Sequence, residues 1–327
     1  MQKLLHIVRI AVLDILVAGL IVVTFAFFHH VLPSLKTSAA EEAAPVARPQ
    51  PVATVKPVEK TEGKTEWQIK FADKFSDEVI STATSYKSPE VSIELKTVSY
   101  PQKDDVITYH VADIYIASIE NFATYTANNQ VKYFDTQDAL EMDKAADAIL
   151  SMSGDFITYQ QSGFIVRNGQ LYMEDEAFCD ICVLYPDGSM ETLRQGDYTM
   201  SEVLAKNPSQ IWNFGPMLID EKGEVNTNYD VSAIVSKRNP RSAIGYFEPG
   251  HYCFVVADGR QEGHSAGMLL PELGQLFLDL GCSKAYNLDG GGSAVMIFGD
   301  EHYSSMSNGG GRELGDILLI RESGEVQ

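Results

Sequence analysis

From Ile10 to Phe28 the chain is apolar on every face, nineteen residues interrupted only by Asp14. At about 1.5 Å of rise per residue, such a helix spans the hydrocarbon layer of a bilayer, about 30 Å thick. Lys3 and Arg9 precede it, so the pattern predicts a cytoplasmic segment 1–9, a transmembrane signal anchor 10–28, and all later residues outside the membrane. A cleaved signal peptide is the rival reading, with Ser38-Ala39-Ala40 as the cleavage site. Residues 29–66 lose the large apolar side chains. Pro45, Pro49, Pro51 and Pro57 recur among Ala, Glu and Lys, the composition of an extended, semi-rigid linker.

Beyond the linker the pattern changes to short apolar runs bounded by Gly, Asp, Asn or Pro. Strands are predicted at Val91–Val98, Val106–Ile119, Phe164–Val166, Ile181–Tyr185, Tyr252–Ala257, Ala294–Phe298 and Ile317–Ile320. Asn168-Gly169 and Pro186-Asp187-Gly188-Ser189 have the chemistry of hairpin turns. Helical spacing occurs twice. Asp138–Leu150 aligns Leu140, Ala145, Ile149 and Leu150. Met268–Leu280 aligns Leu269, Leu273, Leu276, Phe277 and Leu280, with Pro271 in the first turn and Gly281 as the stop. Strands and helices do not alternate, so residues 67–327 are expected to form an α+β domain with a mixed, largely antiparallel sheet and a few packed helices.

Charge narrows the function classes. The chain carries 45 Asp and Glu against 25 Lys and Arg, a net charge of -20. The first 66 residues hold seven bases and six acids, so the excess of acid lies in the remainder. A nonspecific nucleic-acid partner requires a basic surface that releases counterions, and none is available. Cys179, Cys182, Cys253 and Cys282 read as buried thiols or one incidental disulfide, since Cys179-x-x-Cys182 and Cys253 fall in strand-like runs without a zinc pattern.

Candidate chemistry concentrates in polar, glycine-rich breaks. Asn287-Leu288-Asp289-Gly290-Gly291-Gly292-Ser293 is the densest. Three successive glycines cost backbone entropy, so either the chain turns through positive φ or a ligand approaches the bare amides. A nucleotide phosphate loop would need a following lysine, which is missing; a tight turn between strands is the plainer alternative. Further breaks are Pro240-Arg241-Ser242, Asp258-Gly259-Arg260, Ser153-Gly154-Asp155-Phe156 and Gly309-Gly310-Gly311-Arg312. Asp258 beside Arg260 reads either as a site mouth or as a surface ion pair. Together these breaks offer three carboxylates, Asp155, Asp258 and Asp289, and three guanidiniums, Arg241, Arg260 and Arg312. Carboxylates suit an anomeric centre and arginines suit phosphate.

The run NPRSAIGYFEPGHYCFVVADGRQEGHSAGMLLPELGQLFLDLGCSKAYNLDGGGSAVM resembles the core of the phosphodiester glycosidase family, which includes the uncovering enzyme of lysosomal targeting. The resemblance continues through Ser153–Phe156, Phe214-Gly215-Pro216-Met217-Leu218 and the segment ending at Arg312, and covers roughly residues 90–320. Two departures stand out. Ser153 and Ile157 replace an Asn and an aromatic residue of the usual pattern, and His264 stands where an aromatic or another polar residue is expected.

The resemblance implies hydrolysis of a sugar-1-phosphodiester at its glycosidic C–O bond, in cell-wall or exopolysaccharide metabolism. Asp289 and Asp258, then Asp155, are the expected general base or oxocarbenium-stabilising groups. Arg241, Arg260 and Arg312 are expected to bind phosphate, with Asn287, Gly290, Gly291, Gly292 and Ser293 also lining the substrate. Clustered carboxylates would also admit a divalent cation, Ca²⁺ or Mg²⁺, although no dedicated cation-loop spacing is present. The expected partners are a phosphate-containing glycan and, through 10–28, the membrane. A non-catalytic wall-polymer binder and a glycosyl or phosphosugar transferase are the alternatives. An acidic domain with an anionic substrate must gather its arginines locally, so these three residues should share one face.

Overall fold

The computed structural model describes residues 63–323 apart from 104, 160–162, 176, 178, 230–231, 233 and 308–310. The anchor expected at 10–28 and nearly all of the linker lie outside these residues. Among the described residues no helix is long and apolar enough to cross a membrane.

Three antiparallel sheets build the domain. The largest has seven strands in the order Ile80–Ser81, Ser85–Lys87, Val91–Gln102, Asp105–Ile116, His251–Ala257, Arg241–Glu248, Lys284–Leu288. A five-stranded sheet runs Met190–Leu193, Ile181–Leu184, Gln210–Trp212, Phe164–Arg167, Gln170–Glu174. The other runs Glu301–His302, Met296–Phe298, Leu150–Ser153, Asp316–Ile320, Phe122–Thr126. The expected antiparallel α+β architecture is present.

Side chains alternate between strand faces, and here both faces are covered. In His251–Ala257, Tyr252, Phe254 and Val256 enter a core shared with Trp212, Met296 and Leu318 of the other two sheets. Cys253, Val255 and Ala257 instead pack with Leu273 and Phe277 of the helix Leu270–Leu280. Burial on both faces explains why that strand reads as an unbroken apolar run. The same logic holds for Asp316–Ile320. Leu318 and Ile320 join the shared core, while Ile317 and Leu319 meet Ala139 and Met142 of the helix Ala139–Ala145. A third helix, Met200–Ala205, places Val203 against Ile181, Val183 and Phe164. Each large buried side chain contributes about 1.5–3 kcal/mol, which makes this common core the main stabilising element.

Two local results correct or confirm the sequence reading. The helix expected over Asp138–Leu150 ends at Ala145, because Asp147 turns through φ +55° and Leu150 starts a strand. Asp138 is its N-cap, accepting from the amides of Leu140 and Glu141. Asn168-Gly169 does form a hairpin turn, with φ of +52° and +76°, between paired Arg167 and Gln170.

All four cysteines are free thiols. Cys253 and Cys282 approach to 3.5 Å between sulfurs, and the thiol of Cys179 donates to the Asn213 carbonyl.

Candidate active site

Sheet register assembles the site. Arg241 pairs with Ala257 and Ser242 with Leu288, so the segments Pro240-Arg241, Asp258–Arg260 and Asp289–Ser293 emerge from one end of three adjacent strands. The third sheet brings Ser153 and Gly154 to the same place. Ser153 and Ser242 hydroxyls lie 2.6 Å apart, Ser153 also donates to the Asp289 carbonyl, and the Asp289 amide donates to the Gly154 carbonyl at 3.0 Å.

The glycine loop is confined from both sides. A Cβ on Gly290 would stand 2.6 Å from the Pro240 carbonyl oxygen. Gly291 has φ +61°, donates to that same carbonyl, and passes within 3.1 Å (from an ideal Cβ) of Arg260 Nη2. Gly292 approaches the Arg312 side chain, and its carbonyl accepts from the Arg312 amide. Close packing requires glycine at position 290, and positive φ favours it at 291.

Asp289 is the carboxylate at the loop. Its Oδ2 accepts from Ser293 Oγ at 2.6 Å and from Arg312 Nη2 at 2.8 Å, while Arg312 Nε donates to Ser293 Oγ. Its Oδ1 accepts no hydrogen bond from the described residues. Burial raises its pKa, the Arg312 charge and the Ser293 hydroxyl oppose the rise, and the charge of Asp155 adds to it. The Arg312 side chain remains 47% exposed. Outside the loop lies a cavity of about 180 Å³, lined by Gly292, Ser293, His302, Met306, Arg312 and Glu313 among others.

On the opposite side of the loop, Arg241 is buried. Its Nε donates to the Met268 carbonyl, and its Nη2 to those of Val235 and Lys237. Arg260, at φ +59°, donates from Nη2 to Asn239 Oδ1. Neither arginine forms an ion pair among the described residues. Burial lowers the Arg241 pKa to about 10, and the neighbouring charge of Arg260 acts in the same direction. Two adjacent guanidiniums without a carboxylate are electrostatically costly, and an anion would relieve them. The Arg260 and Arg312 side chains thus border Gly291 and Gly292, whereas Arg241 meets Gly290 through its backbone and gives its guanidinium to carbonyl oxygens.

The other expected site residues have different surroundings. Asp258 has no exposed side-chain surface: Oδ2 meets His110 Nε2 at 3.1 Å and His264 Nε2 at 2.7 Å, and Oδ1 accepts from the Ser305 amide. It is not paired with Arg260, which removes the surface ion-pair reading. His264 is held by Asp258 and its side chain is 44% exposed. Asp155 is enclosed as well. Arg167 joins it to Asp316, with Nη2 3.3 Å from Asp155 and Nε 2.8 Å from Asp316, and the Asn213 and Phe156 amides complete its shell. Asn287 is buried and spans to the Gly215 carbonyl, fixing the bend at the cis Gly215–Pro216 peptide.

Arg167, Asp316 and His110 were absent from the sequence reading. His110 left a trace, a polar residue at an inward position of an apolar strand. Arg167 beside a hairpin turn reads as surface. For a cation, no group of three or more His, Cys, Asp or Glu is placed to hold one among the described residues.

The phosphodiester glycosidase family model matches residues 146–321. The chain belongs to the phosphodiester glycosidase family. The matched region contains both arginine groups, the glycine loop and Asp289. A curated relative, the SPbeta prophage-derived uncharacterized protein YomE of Bacillus subtilis strain 168, is 27% identical over 162 residues, 48% of this chain. The match spans only 25% of that relative's length. The fold is similar to that of the zebrafish N-acetylglucosamine-1-phosphodiester alpha-N-acetylglucosaminidase catalytic domain, auto-inhibited by its pro-peptide. The TM-score is 0.58 at 19% identity, over 75% of this chain and 88% of the other.

Proposed function

We propose that the chain hydrolyses a sugar-1-phosphodiester at the glycosidic C–O bond, outside the cytoplasmic membrane, on a phosphate-containing cell-wall or extracellular glycan. One observation carries the reading: Arg241 and Arg260, neighbouring charges with no ion pair among the described residues, flank a glycine loop whose other side presents Asp289 and Arg312. The phosphate binds on the arginine side and C1 of the sugar faces Asp289. The C1–O bond breaks with its electron pair moving to the phosphate oxygen, and the guanidiniums balance the charge that develops there. Water adds to C1 and gives its proton to Asp289, whose Oδ1 is open. The phosphate is a good leaving group, so no strong general acid is required. Asp258 and Asp155, both enclosed, act by holding His264 and the Gly154 bend in place.

The apolar segment 10–28 and the proline-rich linker support membrane attachment with the domain outside the cytoplasm. The test is incubation of the chain with a GlcNAc-1-phosphodiester while free GlcNAc is followed. Release of sugar that Arg260→Ala weakens through KM is the expected result. Absence of sugar release from this and other sugar-1-phosphodiesters sinks the proposal, and product joined to an added acceptor glycan redirects it to transfer.

A further inference from the structure

Five aromatic rings lead outward from the site. Phe214 and Phe156 have centroids 6.4 Å apart, Phe156 and Tyr159 stack at 4.7 Å, Tyr159 meets Phe134 at 5.5 Å, and Phe134 meets Tyr133 at 4.1 Å. The inner end touches the chemistry, because the Arg312 guanidinium lies over the Phe156 ring at 5.5 Å. The outer end is open. Phe134 is 64% exposed, Tyr133 45% and Tyr159 39%.

This surface is held in place. Phe134 adopts φ +59°, a strained conformation for a bulky residue. Its amide donates to the Thr158 carbonyl, and Thr136 Oγ1 donates to Glu313 beside Arg312. Asp135 accepts from both Asn128 and Gln130, giving the rings a polar rim. A strained backbone that leaves an aromatic ring 64% exposed gives up burial that folding would otherwise use, which points to a ligand.

We propose that this ledge binds the glycan chain that continues from the phosphate-linked sugar, stacking pyranose rings on Phe134 and Tyr159. Sugar rings present an apolar face of C–H groups, which complements the negative face of an aromatic ring, while their hydroxyls reach the polar rim. The position of the ledge as a glycan subsite rests on the proposed hydrolase reading; its capacity to bind a neutral glycan does not.

The experiment uses the full chain in detergent and a panel of neutral tetrasaccharides, built from β-1,4-linked GlcNAc, β-1,4-linked glucose and α-1,4-linked glucose, titrated by calorimetry. At least one binds the wild type, Phe134→Ala with Tyr159→Ala weakens it by about tenfold or more, and Phe134→Trp retains it. Hydrolysis of a single-sugar GlcNAc-1-phosphodiester is unchanged in Phe134→Ala. No binding by the wild type, or equal binding by the double variant with an unaltered melting temperature, overturns the ledge. Self-association that Phe134→Ala abolishes also overturns it, in favour of a second copy as occupant. Tetrasaccharide binding without hydrolysis would leave the ledge standing and remove the catalytic reading.

Discussion

Two carboxylate–arginine clusters meet across Gly154, whose amide donates to the Asp316 carbonyl and whose carbonyl accepts from the Asp289 amide. In one, Arg167 bridges Asp155 and Asp316, and all three side chains are sealed from solvent. In the other, Arg312 holds Asp289 through one oxygen while nearly half of its own side chain stays exposed. The chemistry of the pairs is the same. What differs is saturation: the first cluster has spent its donors and acceptors on the fold, and the second keeps an open carboxylate oxygen and a half-exposed cation for a ligand. Residue type alone therefore separates a structural ion pair from a reactive one poorly; the count of unused lone pairs and the exposure of the partner do better.

The largest effect that would break this contrast is catalytic. Asp289→Asn should lower sugar release by about 10²–10⁴-fold, the range for removing a positioned proton-transfer group. Its unfolding free energy should move by less than about 1 kcal/mol, because the amide oxygen can occupy the Oδ2 position and go on accepting from Ser293 and Arg312. Retained turnover would show that the open cluster is as structural as the sealed one.

Next comes Arg167→Leu, which strands two buried carboxylates. A loss of about 3–5 kcal/mol in denaturant unfolding is expected. Little change in stability would mean that the sealed cluster is not saturated in solution.

Asp143 sharpens the comparison, being a buried carboxylate with no arginine partner among the described residues. It accepts from Ser151 at 2.5 Å, its Oδ2 has no partner among those residues, and burial raises its pKa to about 6. The folded state therefore binds its proton more tightly than the unfolded chain does. Stability from this group is greatest below about pH 4 and declines as pH rises through about 6, by up to about 3 kcal/mol. Asp143→Asn should flatten that slope and raise the melting temperature at neutral pH; a slope unchanged by the substitution refutes the assignment.

The smallest effect concerns Arg312. Arg312→Gln removes a charge that opposes the burial of Asp289, so the acid limb of the pH–rate profile should move to higher pH, by about one unit or less. A shift to lower pH would contradict the pairing.

Much of this molecule could be read before folding was considered. Runs such as His251–Ala257 and Asp316–Ile320 were evident because both of their faces are buried. The breaks carrying Arg241, Asp258, Arg260 and Asp289 were also evident, since glycine and charge at strand ends leave a local mark. Their convergence was not, because it depends on the Arg241–Ala257 and Ser242–Leu288 register, which joins distant segments. Short strands such as Gln210–Trp212 are too brief to show a period. The helix ending at Ala145 looked longer because Ile149 and Leu150 continue its apolar spacing after the backbone has turned away. Asp258 appeared reactive for want of knowledge of His110, which arrives from a strand about 150 residues earlier in the chain.

The position of Asp316–Ile320 has a further consequence. This strand lies between Leu150–Ser153 and Phe122–Thr126, yet it is translated after every other strand described. Until it emerges, the earlier strands lack the partner that closes their sheet, Arg167 lacks one of its two carboxylates, and Gly154 has nothing to donate to. A nascent chain must hold Phe122–Thr126 and Leu150–Ser153 without this partner until the strand has been made. Non-local pairing of this kind slows folding and exposes aggregation-prone intermediates.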